Sequence, residues 1–206
     1  MWGSCVLYLS PDMQGRGIVY LHFMLQACQV TQQKELKQIL ELQQLYLRGK
    51  KRPGEEAEQG FLTVAHSLTQ LHQLHEREPS VIVKDRDTLA GYALVMTRDC
   101  KDIIPVLVPM FRHLERLCFG GQPLNNYPYY VMGQVCVAKE YRGRGVFDML
   151  YHKHRELFRD SYRFVITEIS TRNLRSVRAH ERVGFRTVDI YRDETDEWDV
   201  ALWDWE

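Results

Sequence analysis

The chain carries no surplus of either charge: Lys and Arg total 27, Asp and Glu total 27, and the pI is near 7.1. Holding nucleic acid by general electrostatics requires a basic excess, so that class of function is excluded as the main one. Long hydrophobic runs are missing as well. The longest mostly apolar stretch, residues 18–30, contains His22, Gln26 and Gln29. It falls short of the roughly 20 apolar residues that a bilayer demands. Cysteine is sparse: Cys5, Cys28, Cys100, Cys118 and Cys136 are odd in number and never form a C-x-x-C pair. Zinc and redox motifs are therefore excluded, and reduced buried thiols are the expectation. The start of the chain lacks the positive residues of a secretory signal, and Ser10-Pro11-Asp12 interrupts its apolar residues. A soluble, cytoplasmic protein with neither membrane nor nucleic-acid partners is expected. Repeats, low-complexity tracts and dividing linkers are also absent. Residues 1–19 read as an N-terminal arm and residues 20–206 as one domain, long enough for a core without metal or disulfide staples.

What is present reads as alternating strands and helices. A first strand is expected from about Leu21 to Ala27, then a helix from Gln32 to about Gly49, capped by Thr31. Its stripe of Leu36, Ile39, Leu40 and Leu47 is broken by Gln43. Residues 50–56 form a charged loop, and a second helix is expected from Phe61 to Glu76. Its His66, His72 and His75 read as solvated rather than metal-binding, since nothing in the sequence converges on them. Strands at 80–84 and 90–96 make a hairpin around residues 85–88, and residues 101–118 hold a loop and a short helix. Residues 120–126 are a loop by composition. Further strands are expected at 130–137, 164–170, 185–191 and 198–205, with helices at 147–160 and 174–183, the last closed by Gly184. The fold class is a mixed α/β (α+β), mostly antiparallel sheet with helices on both faces, in which a crossover helix makes the strands at 130 and 164 parallel.

Between the strand at 130–137 and the helix after it lies Tyr141-Arg142-Gly143-Arg144-Gly145-Val146-Phe147. Strand, glycine turn and helix bring backbone N–H groups together at the positive end of a helix, which suits a phosphate. A Walker loop would need Lys and Ser or Thr after the glycines, and a dinucleotide fingerprint would need a third glycine where Asp148 stands. Both are excluded. Gln14-Gly15-Arg16-Gly17-Ile18 has a similar look, but β-rich residues follow it, so it reads as a decoy.

The segment from Val135 to Val146 resembles the acetyl-CoA-binding motif of the GNAT-type N-acetyltransferase superfamily, [QR]-x-x-G-x-[GA]. The segment from Asn173 to Phe185 resembles that family's later helix, opened by Asn and closed by Gly-Phe. The resemblance implies acetyl-CoA as co-substrate, no metal, and the family's sheet. It also implies roles for residues. The backbone through Arg142, Gly143, Arg144, Gly145, Val146 and Phe147 would hold the pyrophosphate, and Val135, Cys136 and Val137 would pair with the pantetheine arm as with another strand. Asn173 and Ser176 would reach the pantetheine arm or the acetyl end. Two positions depart from the pattern. Phe147 stands where Gly or Ala is usual, and either narrows the approach to the phosphates or turns into the core. His180 stands where many members have a Tyr that protonates the leaving thiolate. Imidazole, with a pKa of about 6.5 against about 8.5 for a thiol, can also give a proton, and packing against neighbours is the alternative.

Acyl transfer to an amine also needs a base and a donor for the oxyanion. Glu168 is the candidate base, with an exposed or salt-bridged strand residue as the alternative, and a backbone N–H near Cys136 or Val137 is the candidate donor. Cys136 reads as an inert buried thiol rather than an acyl-cysteine nucleophile. Tyr127, Tyr129 and Tyr130 with the acidic residues 193–197 would favour a cationic amine if they line the cleft; a solvated turn is the plainer reading. Trp198, Trp203 and Trp205 read as core or dimer contacts, which leaves a homodimer open. Three activities follow: direct acetyl transfer to a small primary amine, transfer to a protein or peptide amine, or a non-catalytic acyl-CoA-binding regulatory module.

Overall fold

The computed structural model describes residues 9–11, 17–19, 24–48 and 60–206. Two short strands come first, β1 (Leu9–Pro11) and β2 (Gly17–Val19), paired antiparallel, so Gly17 opens a strand and not a helix, while residues 12–16 lie outside the described residues. Then come β3 (Leu25–Gln29), α1 (Gln33–Tyr46), α2 (Leu68–Arg77), β4 (Val81–Asp85) and β5 (Thr88–Met96). An insertion holds α3 (Val108–Leu114) and the small hairpin β6 (Cys118–Phe119) and β7 (Gln122–Pro123). The chain ends with β8 (Tyr129–Val137), α4 (Val146–Phe158), β9 (Phe164–Ser170), α5 (Leu174–Val183), β10 (Arg186–Arg192) and β11 (Glu197–Asp204). The charged loop at 50–56 and the start of the expected first strand lie outside the described residues.

Three expectations shift, each for a local reason. Thr31 does not cap α1: Gln32 is the N-cap, and Glu35 reaches back to accept the N–H groups of Thr31 (2.8 Å) and Gln32 (3.0 Å). The second helix starts at Leu68, not Phe61, because Ser67 and Gln70 form a reciprocal capping box there. Phe61 to His66 instead run over the sheet, with Leu62 bridged in parallel to Leu47. Gly120 and Gly121, both at positive φ, make the two-residue turn of a hairpin where a plain loop was expected. Gln43, which breaks the apolar stripe of α1, is fully buried and accepts the His66 N–H at 2.5 Å.

Seven strands form one sheet in the order β10-β11-β9-β8-β5-β4-β3, antiparallel everywhere except between β8 and β9. The helix-led crossover through α4 accounts for that parallel pair, as the sequence indicated. Neighbouring residues of β8 show the two faces. Tyr130 packs against His154 and Phe158 of α4, whereas Tyr129 stacks on Phe164 among the insertion's apolar residues. Helices α1 to α3 thus cover one face and α4 and α5 the other.

Candidate active site

The site begins where the sheet splits. β8 and β9 pair only over Tyr129–Val131 and Phe164–Ile166, then diverge. Gly133 is the extra residue of a bulge in β8 against β5, and a Cβ there would collide with Met96 Sδ. At the point of parting, Thr167 Oγ1 donates to the Met132 carbonyl at 3.0 Å. Beyond it the ladder with β5 dictates what β8 offers. Ala138 N–H bonds the Ala90 carbonyl, so Tyr92 and Cys136 form the next bonded pair. Val135 and Val137 then turn their backbone groups away from β5, into the space that β9 leaves.

Below that edge is the glycine turn. Gly143 (φ 72°) and Gly145 (φ 76°) both lie in the left-handed region, and Gly145 is the N-cap of α4 with no side-chain cap. The first-turn N–H groups at Val146, Phe147 and Asp148 have no carbonyl four residues back to bond, and the positive end of the helix faces the cleft. Arg142 Nε donates to the Val137 carbonyl at 3.2 Å, and its guanidinium stacks 4.8 Å from the Tyr46 ring centroid. A cleft of about 370 Å³ runs along these groups. Of the expected cofactor-binding residues, Val135, Cys136, Val137, Arg142, Gly143, Gly145, Val146, Phe147, Asn173 and Ser176 all line it. Arg144 does not: its Nε folds back to the Glu140 carbonyl at 2.9 Å. Phe147 takes the inward course, meeting Tyr151 (4.9 Å) and the edge of His180 (5.2 Å) while still forming part of the wall. Asn173 caps α5 through Ser176 N–H (3.3 Å) and donates to the Phe61 carbonyl (3.2 Å), so its amide pins the strap at 60–66 against the cleft.

A smaller recess opens beside the cleft, bounded by Phe61 and Leu62, the Gly133 bulge, Glu168, Ser176 and His180. Glu168 is partly buried, and both its oxygens lie 2.9 Å from the Tyr191 hydroxyl, which reaches across β11. Burial pushes the Glu168 pKa up to about 8; the Tyr191 hydrogen bond opposes this, and the charges of Asp193 and Asp189 add to it. His180 is buried, with Nδ1–H donating to the Ser176 carbonyl (2.8 Å) and Nε2 accepting from the Tyr151 hydroxyl (2.6 Å). Burial pushes its pKa down to about 4, only partly offset by the Ser176 bond. Of the two readings of His180, this arrangement favours packing against its neighbours over proton delivery. The ring is neutral near pH 7 and both nitrogens are engaged within the protein.

The acidic hairpin is also spoken for. Asp196 is buried and bonded by Arg48 (3.1 Å), Arg172 (2.6 Å) and Ser170 (2.9 Å). Burial raises the Asp193 pKa, but the hydrogen bonds from Thr195 and Asp196 outweigh it and bring the value to about 2. Trp203 and Trp205 pack edge to face at 6.0 Å, and Trp205 is buried in the core. Two contributors were not singled out as site residues in the sequence: Tyr46, at the end of α1, and Tyr191, in β10. Their partners lie 96 and 23 positions away, and no local pattern marks such pairs. Among the described residues no His, Cys, Asp and Glu cluster is placed to hold a metal ion, and no helix is long and apolar enough to cross a membrane.

Known proteins can be compared with this geometry. No curated protein matches the sequence. Among solved structures, the NatC complex bound to Gag peptide and CoA is similar at 12% identity and a TM-score of 0.59, over 88% of this chain and 99% of that one. The protein yncA from Salmonella typhimurium, solved with acetyl-CoA, is similar at 12% identity and 0.57, over 88% and 94%. A chimera of the spermidine N-acetyltransferase SpeG from Vibrio cholerae and hSSAT follows at 12% and 0.55, over 87% and 95%. At such identities the likeness is one of fold. Residues 36–185 match the model of the Acetyltransferase (GNAT) family, and with that match spanning most of its length the chain belongs to the GNAT acetyltransferases.

Proposed function

We propose that the protein is an acetyl-CoA-dependent N-acetyltransferase that moves the acetyl group directly to a primary amine in a ternary complex. The observation that carries this is the junction of two spaces at the β8–β9 split. One is a cleft running along the Val135–Val137 backbone to the start of α4, which has no side-chain cap, the other a recess ending on a carboxylate. Donor and acceptor then meet near Val135, with the pantetheine lying along Val135 and Val137 and the pyrophosphate on the turn at 143–147. Of the two oxyanion donors expected from the sequence, Val137 N–H is the better placed, because Cys136 is spent on Tyr92.

Glu168 takes the proton from the attacking nitrogen. A base with a pKa near the working pH both accepts and releases protons readily. Overall the amine gains the acetyl group and loses one proton, and the CoA sulfur loses the acetyl group and gains one, so atoms and charge balance. Arg142 and the α4 N-terminus hold the donor, and His180 and Tyr151 support the wall between the two spaces. The NatC structure holds a peptide and the SpeG chimera is named for spermidine, so both acceptor classes suit this fold.

The test is release of free CoA from acetyl-CoA in the presence of peptides with free N-termini, N-blocked lysine peptides, and spermidine. Release with one class identifies the acceptor. Tight acetyl-CoA binding with no release from any amine would overturn the proposal in favour of a non-catalytic acyl-CoA-binding module.

A further inference from the structure

The insertion between β5 and β8 reaches the candidate base through one chain of contacts. His113, on α3, places Nε2 2.6 Å from Asp189 Oδ2 of β10. The same ring stacks on Tyr191, with centroids 3.7 Å apart and planes 21° from parallel. The Tyr191 hydroxyl in turn sits 2.9 Å from each oxygen of Glu168. We propose that His113 is a positioning residue for acetyl transfer: held by Asp189, it fixes Tyr191, and Tyr191 orients Glu168. This rests on the reading of Glu168 as the base.

The chemistry of each contact supports the assignment. One hydroxyl proton shared by two carboxylate oxygens holds the carboxylate from one side and leaves the opposite lone pairs to the recess. A hydrogen bond to an ionised carboxylate favours the ionised form, so Tyr191 works against the burial that keeps Glu168 protonated. The groups facing this pair are Asp189 and Asp193 on the β10 side and His113 on α3. The two aspartates push the Glu168 proton affinity up, and Asp189 is the one that His113 engages. A Tyr191 ring without its stacking partner is free to swing, and Glu168 then loses the one hydrogen-bond donor it has among the described residues.

The experiment follows the carboxyl carbon of Glu168 by NMR in the full chain labelled with [13Cδ]Glu. The resonance is assigned by its absence in Glu168→Gln. Tyr191→Phe is expected to move the titration midpoint upward by about one pH unit, the size of one charge-assisted hydrogen bond. His113→Ala should move it in the same direction by about half a unit, and His113→Phe, which keeps the stacked ring, should restore most of the wild-type midpoint. The double variant His113→Ala, Tyr191→Phe should shift no further than Tyr191→Phe alone, because both changes act on one contact. Should His113→Ala fail to fold, His113→Leu fills the same space without a stacking ring and leaves the Asp189 charge in place, and the non-additivity test is repeated with it. A midpoint unchanged by His113→Ala, or a fully additive double variant, would overturn the proposal. Failure of the underlying reading looks different: Glu168→Gln would then retain wild-type turnover with the active amine whatever the NMR midpoints do.

Discussion

Replacing Glu168 by Gln should remove activity and yet stabilise the protein, and the pH at which the gain appears is fixed by the structure. Burial lifts the Glu168 pKa from 4.5 to about 8. Between those values the folded chain binds a proton that the unfolded chain has released, so stability falls as pH rises through this window. At about 1.36 kcal/mol per unit the ceiling is about 5 kcal/mol above pH 8, and the partial exposure of the residue reduces a realistic figure to about 2 kcal/mol. Gln has nearly the same shape, stays neutral, and still accepts the Tyr191 hydroxyl. For a domain of this size about 2 kcal/mol corresponds to roughly 4–8 °C in Tm. Thermal melts of the variant and the wild type should therefore coincide near pH 5 and separate by that amount at pH 8. An equal offset at both pH values, or a less stable variant at pH 8, would refute the reasoning, since either result means that the carboxyl does not carry the cost of an unmet charge.

Three further outcomes are expected. The double variant Arg142→Ala, Gly145→Asp should bind CoA more than about tenfold more weakly, about 1.4 kcal/mol, while keeping its circular dichroism; an unchanged Kd by calorimetry would remove the cradle assignment. Gly184→Ala should cost about 2–3 kcal/mol in denaturant melts, because φ is 119° there and a Cβ would press on the Trp203 indole nitrogen; a loss under about 0.5 kcal/mol would show that the indole yields freely. For His180→Phe the pH–rate profile should keep its shape, since the native ring is already neutral. The native His180 also binds fewer protons than the unfolded chain between its ordinary 6.5 and about 4, so stability is lost as pH falls through that range, and the loss from pH 7 to pH 5 should shrink in the variant. A displaced basic limb of the rate profile would return His180 to the chemistry.

How far the sequence carried depends on the distance over which each feature is decided. Local features were legible. The bounds of β9 and α5 agree with the periodic pattern to the residue, and Gly184 closes α5 at φ 119°, as a helix-ending glycine should. The parallel pairing of β8 and β9 was legible too, because a crossover helix permits little else. The start of α2 was misread because Phe61 and Val64 fit a helical stripe, while the capping pair Ser67 and Gln70 is what sets the boundary. Most of the cradle was legible as a motif, but the fate of its side chains was not. Whether Arg144 faces a phosphate or its own loop depends on the Glu140 carbonyl, and no spacing rule reveals that. His180 shows the limit most clearly. Its type and position suggested an acid, but Tyr151, 29 residues earlier, and the Ser176 carbonyl use both nitrogens.

The two halves of the proposed site have a common cause in the split of the sheet. A strand pair that stayed closed would spend the backbone of Val135 and Val137 on β9, and no edge would remain for a donor. The Gly133 bulge turns β8 away after Val131, and the same turn opens the recess that ends on Glu168. A charge-bearing base on the β9 side is thereby placed about where the donor edge begins, without any residue having to span both spaces. The cost is a carboxyl with a raised pKa and a strand edge that no neighbouring strand pairs, two local instabilities that a protein selected only for stability would not keep. Their coincidence at one place in the fold is the physical argument that the place is used.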